Sequence, residues 1–299
     1  MKQFQGRTAV ITGAGSGFGL EVARLAAGRG MQLVLCDVQA DALARAAAEF
    51  EGRVPLLARQ VDVAKAGPME ALAAEVQQRF GAPHFVFNNA GVGSGGLIWE
   101  NTLADWEWVL GVNLMGVVHG VRLFTPMMLA AAQADPQWEG HIVNTASMAG
   151  LLNPPNMGVY NVSKHAVVSL SETLYQDLAL VSEQVHCSVL CPYFVPTGIS
   201  QSHRNRPEDL PGGRPSRSQL ISQAQIDKAV SSGKVSAADV AALVFEALEQ
   251  RRFYIFSHPQ ALGGVQTRLD DVVQARNPSD PFSERPEIGA QLRQALRQG

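Results

Sequence analysis

Short runs rich in aliphatic and β-branched residues, apolar rather than alternating, recur between longer stretches of helical periodicity, and few folds accommodate that alternation. The runs fall at 8–12, 32–36, 56–61, 84–88, 141–145, 185–191 and, more weakly, 253–256. Helical patterns lie between them near 17–30, 40–50, 66–80, 105–131, 158–182 and 236–250. A strand with one wet face alternates apolar and polar residues, whereas a strand apolar throughout is covered on both faces. The pattern therefore predicts an α/β fold, doubly wound, with a seven-stranded, mostly parallel sheet between two helix layers. Seven strands use the chain to about residue 256, so residues 1–256 read as one domain, with 192–235 as a loop or lid inside it. Residues 257–299 read as a C-terminal helix near 260–276 and an extension, not a further domain. That extension carries Pro278, Pro281 and Pro286 and is expected to pack on a neighbour or hang free.

Composition removes several classes of function. Twenty-four basic against 27 acidic side chains give a net charge of −3, so no basic field invites nucleic acid. No uninterrupted apolar run approaches membrane-spanning length, and residues 1–6 lack the pattern of a secretory leader, so a cytoplasmic protein without a membrane partner is expected. Three cysteines, each in a strand-like setting, and seven scattered histidines suggest neither a disulfide framework nor a metal site.

The first strand runs into Thr12-Gly13-Ala14-Gly15-Ser16-Gly17-Phe18-Gly19, within which a helix begins. Glycines there let the backbone turn tightly and approach a pyrophosphate, whose charge meets free amides at the helix N-terminus. Asp37 ends the second strand, about 20 residues on, where a carboxylate accepts hydrogen bonds from ribose hydroxyls and repels a 2′-phosphate. No Arg or Lys stands in the glycine loop or directly after Asp37, so NAD is expected over NADP. The alternative is that Asp37 caps the next helix. Asp62-Val63 and Asn88-Asn89-Ala90-Gly91 end the third and fourth strands, facing the same side of the sheet.

Tyr160 and Lys164 stand four apart at a helix start and so share one face. A phenol active near neutrality needs its pKa lowered by about 3 units, roughly 4 kcal/mol. An ammonium about 4 Å away in an effective dielectric of ~20 supplies that much, which would make Tyr160 a general acid/base. Ser147, just past the fifth strand, is placed to hydrogen-bond a substrate oxygen as charge develops. Asn113 lies in the very apolar 105–131 helix, where a buried amide requires a partner.

These motifs together make the sequence resemble the short-chain dehydrogenase/reductase family, over about residues 6–256. The resemblance rests on Thr12-Gly13-x-x-x-Gly17-x-Gly19, Asn88-Asn89-Ala90-Gly91, Asn113, Ser147 and Tyr160-x-x-x-Lys164. It implies a Rossmann fold and interconversion of a secondary alcohol and its ketone. It implies further that Tyr160 is the acid/base, that Ser147 polarises the carbonyl, and that Lys164 holds the nicotinamide ribose and lowers the tyrosine pKa. Asn113 would anchor a water in a proton relay. Gly13, Ser16, Gly17, Phe18, Gly19, Asp37, Asp62, Val63, Asn89, Ala90, Gly91, Val195 and Thr197 would join Tyr160 and Lys164 in holding the cofactor, with Thr197 on the carboxamide. After the sixth strand the family usually reads Pro-Gly. Here it reads Pro192-Tyr193, so Tyr193 either lines the pocket or is a surface ring.

Apolar and aromatic residues near this chemistry suggest a hydrophobic or aromatic substrate. Arg204, Arg206, Arg214 and Arg217, set against Glu208 and Asp209, read as a solvated lid surface or as a site for a substrate carboxylate or phosphate. The helices at 105–131 and 158–182 are apolar on more than one face, which predicts a homodimer or homotetramer. Two other readings stay open, a non-catalytic NAD sensor or scaffold and a 3-oxoacyl-thioester reductase.

Overall fold

The architecture is given by a computed structural model that describes residues 1–297; the last two residues of the 277–299 tail lie outside it. Its sheet consists of β1 (Thr8–Thr12), β2 (Gln32–Asp37), β3 (Leu56–Gln60), β4 (Phe85–Asn88), β5 (Gly140–Thr145), β6 (Val185–Cys191) and β7 (Tyr254–Phe256). The order is β3-β2-β1-β4-β5-β6-β7, and every neighbouring pair is parallel, so the sheet is parallel throughout rather than mostly so. All positions of β1, β4 and β5 are buried, which is why these runs show no alternation.

Alternate residues of each strand serve opposite layers. On one face, Ile11, Leu33, Leu35, Phe85 and Phe87 meet Val22 and Ala26 of α1 (Gly17–Gly28) and Leu43 of α2 (Ala40–Ala48). On the other, Val10, Val34, Val86 and Ile142 meet Met69 and Leu72 of α3 (Ala66–Phe80). Each such side chain contributes about 1.5–3 kcal/mol by leaving water. The chain builds outward from β1 to β3 and then returns to β4 on the other side of β1. That reversal opens a crevice beyond the C-terminal ends of β1 and β4.

Four expectations change. The 105–131 helix is a composite: α4 (Leu103–Leu110), a π-helical turn at Gly111–Met115, then α5 (Gly116–Ala134). By length and composition this 32-residue path is long and apolar enough to cross a membrane, with a mean hydropathy of 1.4 over an 18-residue window, contrary to the sequence reading. In this fold a third of that window is buried, with Phe124 and Met128 packed in the layer beneath the sheet beside Leu174 of α6 (Gly158–Val181).

The 192–235 segment is structured. It holds a 3-10 turn at Gly198–Asn205 and α7 (Arg217–Ser231) before α8 (Ala237–Gln250) joins the first layer. Finally, the tail does not hang free but packs on its own chain. After α9 (Leu262–Val273), Asp271 accepts from the Ser279 backbone N–H at 2.8 Å and pairs with Arg276 at 3.0 Å. Those contacts turn the chain so that α10 (Pro286–Arg297) packs on α7, burying Gly289 and Leu292.

Candidate active site

The glycine run is shaped by contacts that only glycine allows. Gly13 and Gly17 have φ of 66° and 54°, in the left-handed region. A Cβ on Gly13 would lie 2.9 Å from the Ala90 Cα, and one on Gly19 only 2.1 Å from the Gly13 carbonyl oxygen. Gly19 therefore lies beneath the crevice and sets how closely α1 approaches β1. Helix α1 begins at Ser16 with no side-chain cap and no acidic residue in its first turn, so its positive end is left for an anion.

Asp37 is fixed at the end of β2, where Oδ2 accepts from the Gly15 N–H and Oδ1 from the Gln39 N–H, both at 2.9 Å. The carboxylate steadies the glycine loop and the turn before α2, whose N-cap is Gln39 with no side-chain cap, so Asp37 does not cap that helix; it also lines the crevice. Asp62 accepts from the Ala64 N–H at 3.0 Å, and the Val63 carbonyl meets His119 Nδ1 at 2.9 Å. At the end of β4, Asn89 donates to the carbonyls of Thr12 and Gly13 at 3.0 and 3.4 Å. Thr12 is a site residue the sequence reading passed over. Its hydroxyl accepts from the Asn89 and Ala90 amides at 2.8 and 3.0 Å and ties β1 to β4 where the crevice opens.

Asn113 occupies the π-helical turn and is fully buried. Its Oδ1 accepts from the Val92 N–H at 2.8 Å, and its Nδ2 donates to the Val92 carbonyl at 3.0 Å and to Ser163 Oγ at 3.1 Å. The side chain is thus spent on pinning the segment after β4 to the start of α6. It does not line the crevice, so a water in a relay would not rest on the amide side chain itself.

Lys164, on the first turns of α6, is 4 % exposed and donates from Nζ to the Thr145 carbonyl at 2.9 Å. Burial lowers its pKa to about 8. Nζ sits 5.7 Å from the centroid of the Tyr160 ring. Tyr160 departs from the sequence expectation: burial raises its phenol above the ordinary value, and a hydrogen bond with Ser147 only partly opposes this. The ammonium that was expected to lower the phenol is itself discouraged by the same desolvation. Ser147 caps the 3-10 turn at Met148–Gly150, accepting from the Ala149 N–H at 3.1 Å, and its hydroxyl donates to the Pro192 carbonyl at 3.4 Å.

Ser147, Tyr160 and Lys164 open into the same cavity as Gly13, Ser16, Gly17, Phe18, Asp37, Asp62, Val63, Asn89, Ala90, Gly91, Val195 and Thr197. Thr197 lies across from the glycine loop, its Cβ 3.4 Å from where a Gly17 Cβ would stand. The cavity measures about 2550 Å³, well beyond the few hundred to ~1,000 Å³ of an ordinary small-molecule site. It continues past Tyr160 between Leu152, Met157, Phe194 and Ile226 to Ile288 and Leu292 of the tail. No local signal marked the tail as cavity wall, because the turn at Asp271 brings it there from outside the sheet. Tyr193 stands at the rim, 45 % exposed, its ring 4.6 Å from Phe194 and 5.8 Å from His258.

Two of the loop arginines are occupied inside the lid. Arg206 pairs with Asp105 at 2.5 Å, and Arg204 donates to the Gly198 and Gln201 carbonyls, each at 3.2 Å. Arg206 thereby has a structural use, whereas Arg204 bonds through Nη1 only and still lines the cavity.

A parallel sheet with a glycine loop at its reversal point, a carboxylate at the end of β2 and a Ser-Tyr-Lys group on the same cavity defines a dinucleotide-linked oxidoreductase of the Rossmann class. The short chain dehydrogenase family profile matches residues 7–208, and this chain belongs to the short-chain dehydrogenase/reductase family. A short-chain dehydrogenase/reductase from Burkholderia phymatum, solved in complex with NAD, is 52% identical, with a TM-score of 0.91 over 95% of this chain and 100% of that one. The CLA biosynthesis dehydrogenase/reductase of Lactiplantibacillus plantarum is 32% identical over 278 residues, 91% of this chain and 95% of the relative. The 1-deoxy-11-beta-hydroxypentalenate dehydrogenase of Streptomyces exfoliatus is 34% identical over 271 residues, 90% and 89% of the two chains.

Proposed function

We propose that the protein interconverts a hydrophobic secondary alcohol and its ketone by hydride transfer, with NAD rather than NADP as the cofactor. The observation that carries this reading is the Ser147-Tyr160-Lys164 group standing on the same cavity as the glycine loop. The cavity fits a dinucleotide on its own chemistry: an uncapped helix start for the pyrophosphate, a fixed Asp37 carboxylate for ribose hydroxyls, and a Gly13 position where any Cβ would collide. When bound, the nicotinamide supplies or accepts the hydride.

The chain's own residues handle the proton. Tyr160 gives a proton to the carbonyl oxygen in reduction and takes one from the hydroxyl in oxidation. Ser147 donates a hydrogen bond to that oxygen as charge grows on it. Lys164, held by Thr145, orients the ribose beside Tyr160, and Thr197 faces the nicotinamide end. Asn113 keeps Val92 and the start of α6 in place. Leu152, Met157, Phe194, Ile226, Ile288 and Leu292 offer an apolar enclosure, which favours a hydrophobic substrate. Met115, Val162, Leu180 and Val181 leave apolar surface on the two long helices, and we assign that surface to contacts between subunits of a dimer or tetramer.

Fluorescence titration with NADH and with NADPH tests the nucleotide half of the proposal. Tight NADH and weak NADPH binding are expected, and binding of neither would overturn it. A screen of secondary alcohols, with Tyr160→Phe as the control that binds NADH without turnover, tests the rest.

A further inference from the structure

The lid over the cavity is gripped from below by one buried carboxylate. Asp105 stands in the first turn of α4, where its Oδ2 accepts from the Thr102 N–H at 2.8 Å and the Thr102 hydroxyl at 2.9 Å, closing a capping box. The same oxygen accepts from Gln219 Nε2 at 3.4 Å. Gln219 is the corresponding residue of a second capping box, at the start of α7, where its Oε1 accepts from the Ser216 N–H at 2.8 Å. Two helix starts are thus clasped through their capping boxes. The other oxygen, Oδ1, accepts from Arg206 Nη1 at 2.5 Å. Arg206 also donates from Nε to the Leu210 carbonyl at 2.6 Å, and its guanidinium lies 5.1 Å from the centroid of Trp108. Asp105 therefore holds the lid segment at two points, at 206 and at 219.

A packing path leads from this grip to the chemistry. Leu210 of the lid packs on the cluster of Trp108, Val109, Val92 and Val159. Val159 immediately precedes Tyr160, and Val92 is the residue pinned by Asn113. The lid's second ion pair, Lys65–Asp209, has side chains 50 and 63 % exposed and holds little. The Asp105–Arg206 side chains are 9 and 15 % exposed, so withdrawing either partner strands the other in a desolvated place.

We propose that Asp105 is a positioning residue, the latch of the substrate lid: Arg206 and Gln219 let go of it together, so lid opening and placement of the Tyr160 helix start are one event. The inference rests on the proposed reading of this cavity as a substrate site. Its test is independent of turnover.

Amide hydrogen exchange on the full chain reads the latch directly. Asp105→Asn keeps an acceptor for Thr102 and is expected to speed exchange of the 198–231 amides by about tenfold to a hundredfold, the range of a charge-assisted hydrogen bond, while α1 and α8 stay slow. Arg206→Met, which leaves α4 and its cap untouched, gives the same result if Asp105→Asn fails to fold, and Arg206→Lys restores slow exchange in part. In the double variant Asp105→Asn/Arg206→Met the second change adds little, because one interaction has been removed twice. Fully additive effects, acceleration spread evenly over the sheet, or no acceleration would each overturn the proposal. NADH titration of the same samples separates the two readings: a lid that behaves as described on a chain that binds no NADH sinks the cavity assignment and leaves the latch.

Discussion

Replacing Gly19 by alanine sets two effects of opposite sign against each other. Gly19 lies in α1, and on helix propensity alone the exchange stabilises the chain by about 1 kcal/mol. Its new methyl, however, would stand 2.1 Å from the Gly13 carbonyl oxygen, 2.8 Å from the Gly13 carbonyl carbon and 3.0 Å from the Ala14 Cα. All three are backbone atoms, so no rotamer change relieves the overlap, and α1 and the glycine loop must separate. Overpacking of this kind costs typically 1–3 kcal/mol, and the unyielding neighbours put it near the top of that range, about 3 kcal/mol. The net is a loss of about 2 kcal/mol, which lowers the melting temperature of a chain this size by roughly 3 °C. Because the displaced loop is also the proposed pyrophosphate cradle, NADH affinity should fall with it, by about tenfold for each 1.4 kcal/mol of misfit. Gly28→Ala is the matched control: it lies in the same helix, and a Cβ there meets nothing within 4 Å. Thermal unfolding with and without NADH, run on both variants, decides the matter. A Gly19→Ala protein as stable as the parent and binding NADH within twofold would refute the reasoning.

Other consequences follow from the same contacts. Asp37→Ala removes the carboxylate at the end of β2 and should raise NADPH affinity relative to NADH in fluorescence titrations; an unchanged ratio would remove Asp37 as the discriminating group. With the Tyr160 phenol raised by burial, the proton needed for ketone reduction is in place at neutrality, whereas alcohol oxidation should climb as pH rises; parallel pH profiles in the two directions would contradict this. His84 and His186 are both held near pKa 4 by burial, below the ordinary 6.5, so the unfolded chain takes up protons before the folded one does. Stability should therefore be full above about pH 6.5 and decline as pH falls through about 4, and His84→Gln should flatten that slope in thermal unfolding.

Much of this protein was legible before its structure. The strands at 8–12, 32–36 and 141–145 declared a sheet covered on both faces, because burial on two sides removes the apolar–polar alternation; the polar side chains they do carry, such as His141 and Asn144, are hydrogen-bonded inside. The glycine run could be read locally only in part: Gly19 meets the nearby Gly13 carbonyl, whereas Gly13 meets Ala90 at the end of β4 and Gly17 meets Thr197. Asn113 marks the limit of such reading. Its burial was evident from its apolar surroundings, but its partners, Val92 and Ser163, come from a distant loop and another helix. The Tyr160–Lys164 pair shows a second limit. Spacing puts the two residues on one face, yet whether the ammonium or the desolvation governs the phenol depends on everything packed around them.

Local covalent order thus determined the alternation of elements, the parallel sheet and the reactive side chains it presents at its C-terminal edge, since hydrophobic period acts over a few residues. Tertiary structure alone decided that Asp105 serves the lid, that Arg206 is an anchor and not an anion receptor, and that the tail closes the cavity by packing α10 on α7. Those outcomes rest on single hydrogen bonds and packed contacts between segments tens of residues to more than a hundred residues apart. Nothing periodic in the sequence records such pairings, because each depends on which surfaces the folded sheet happens to bring within about 3 Å of one another.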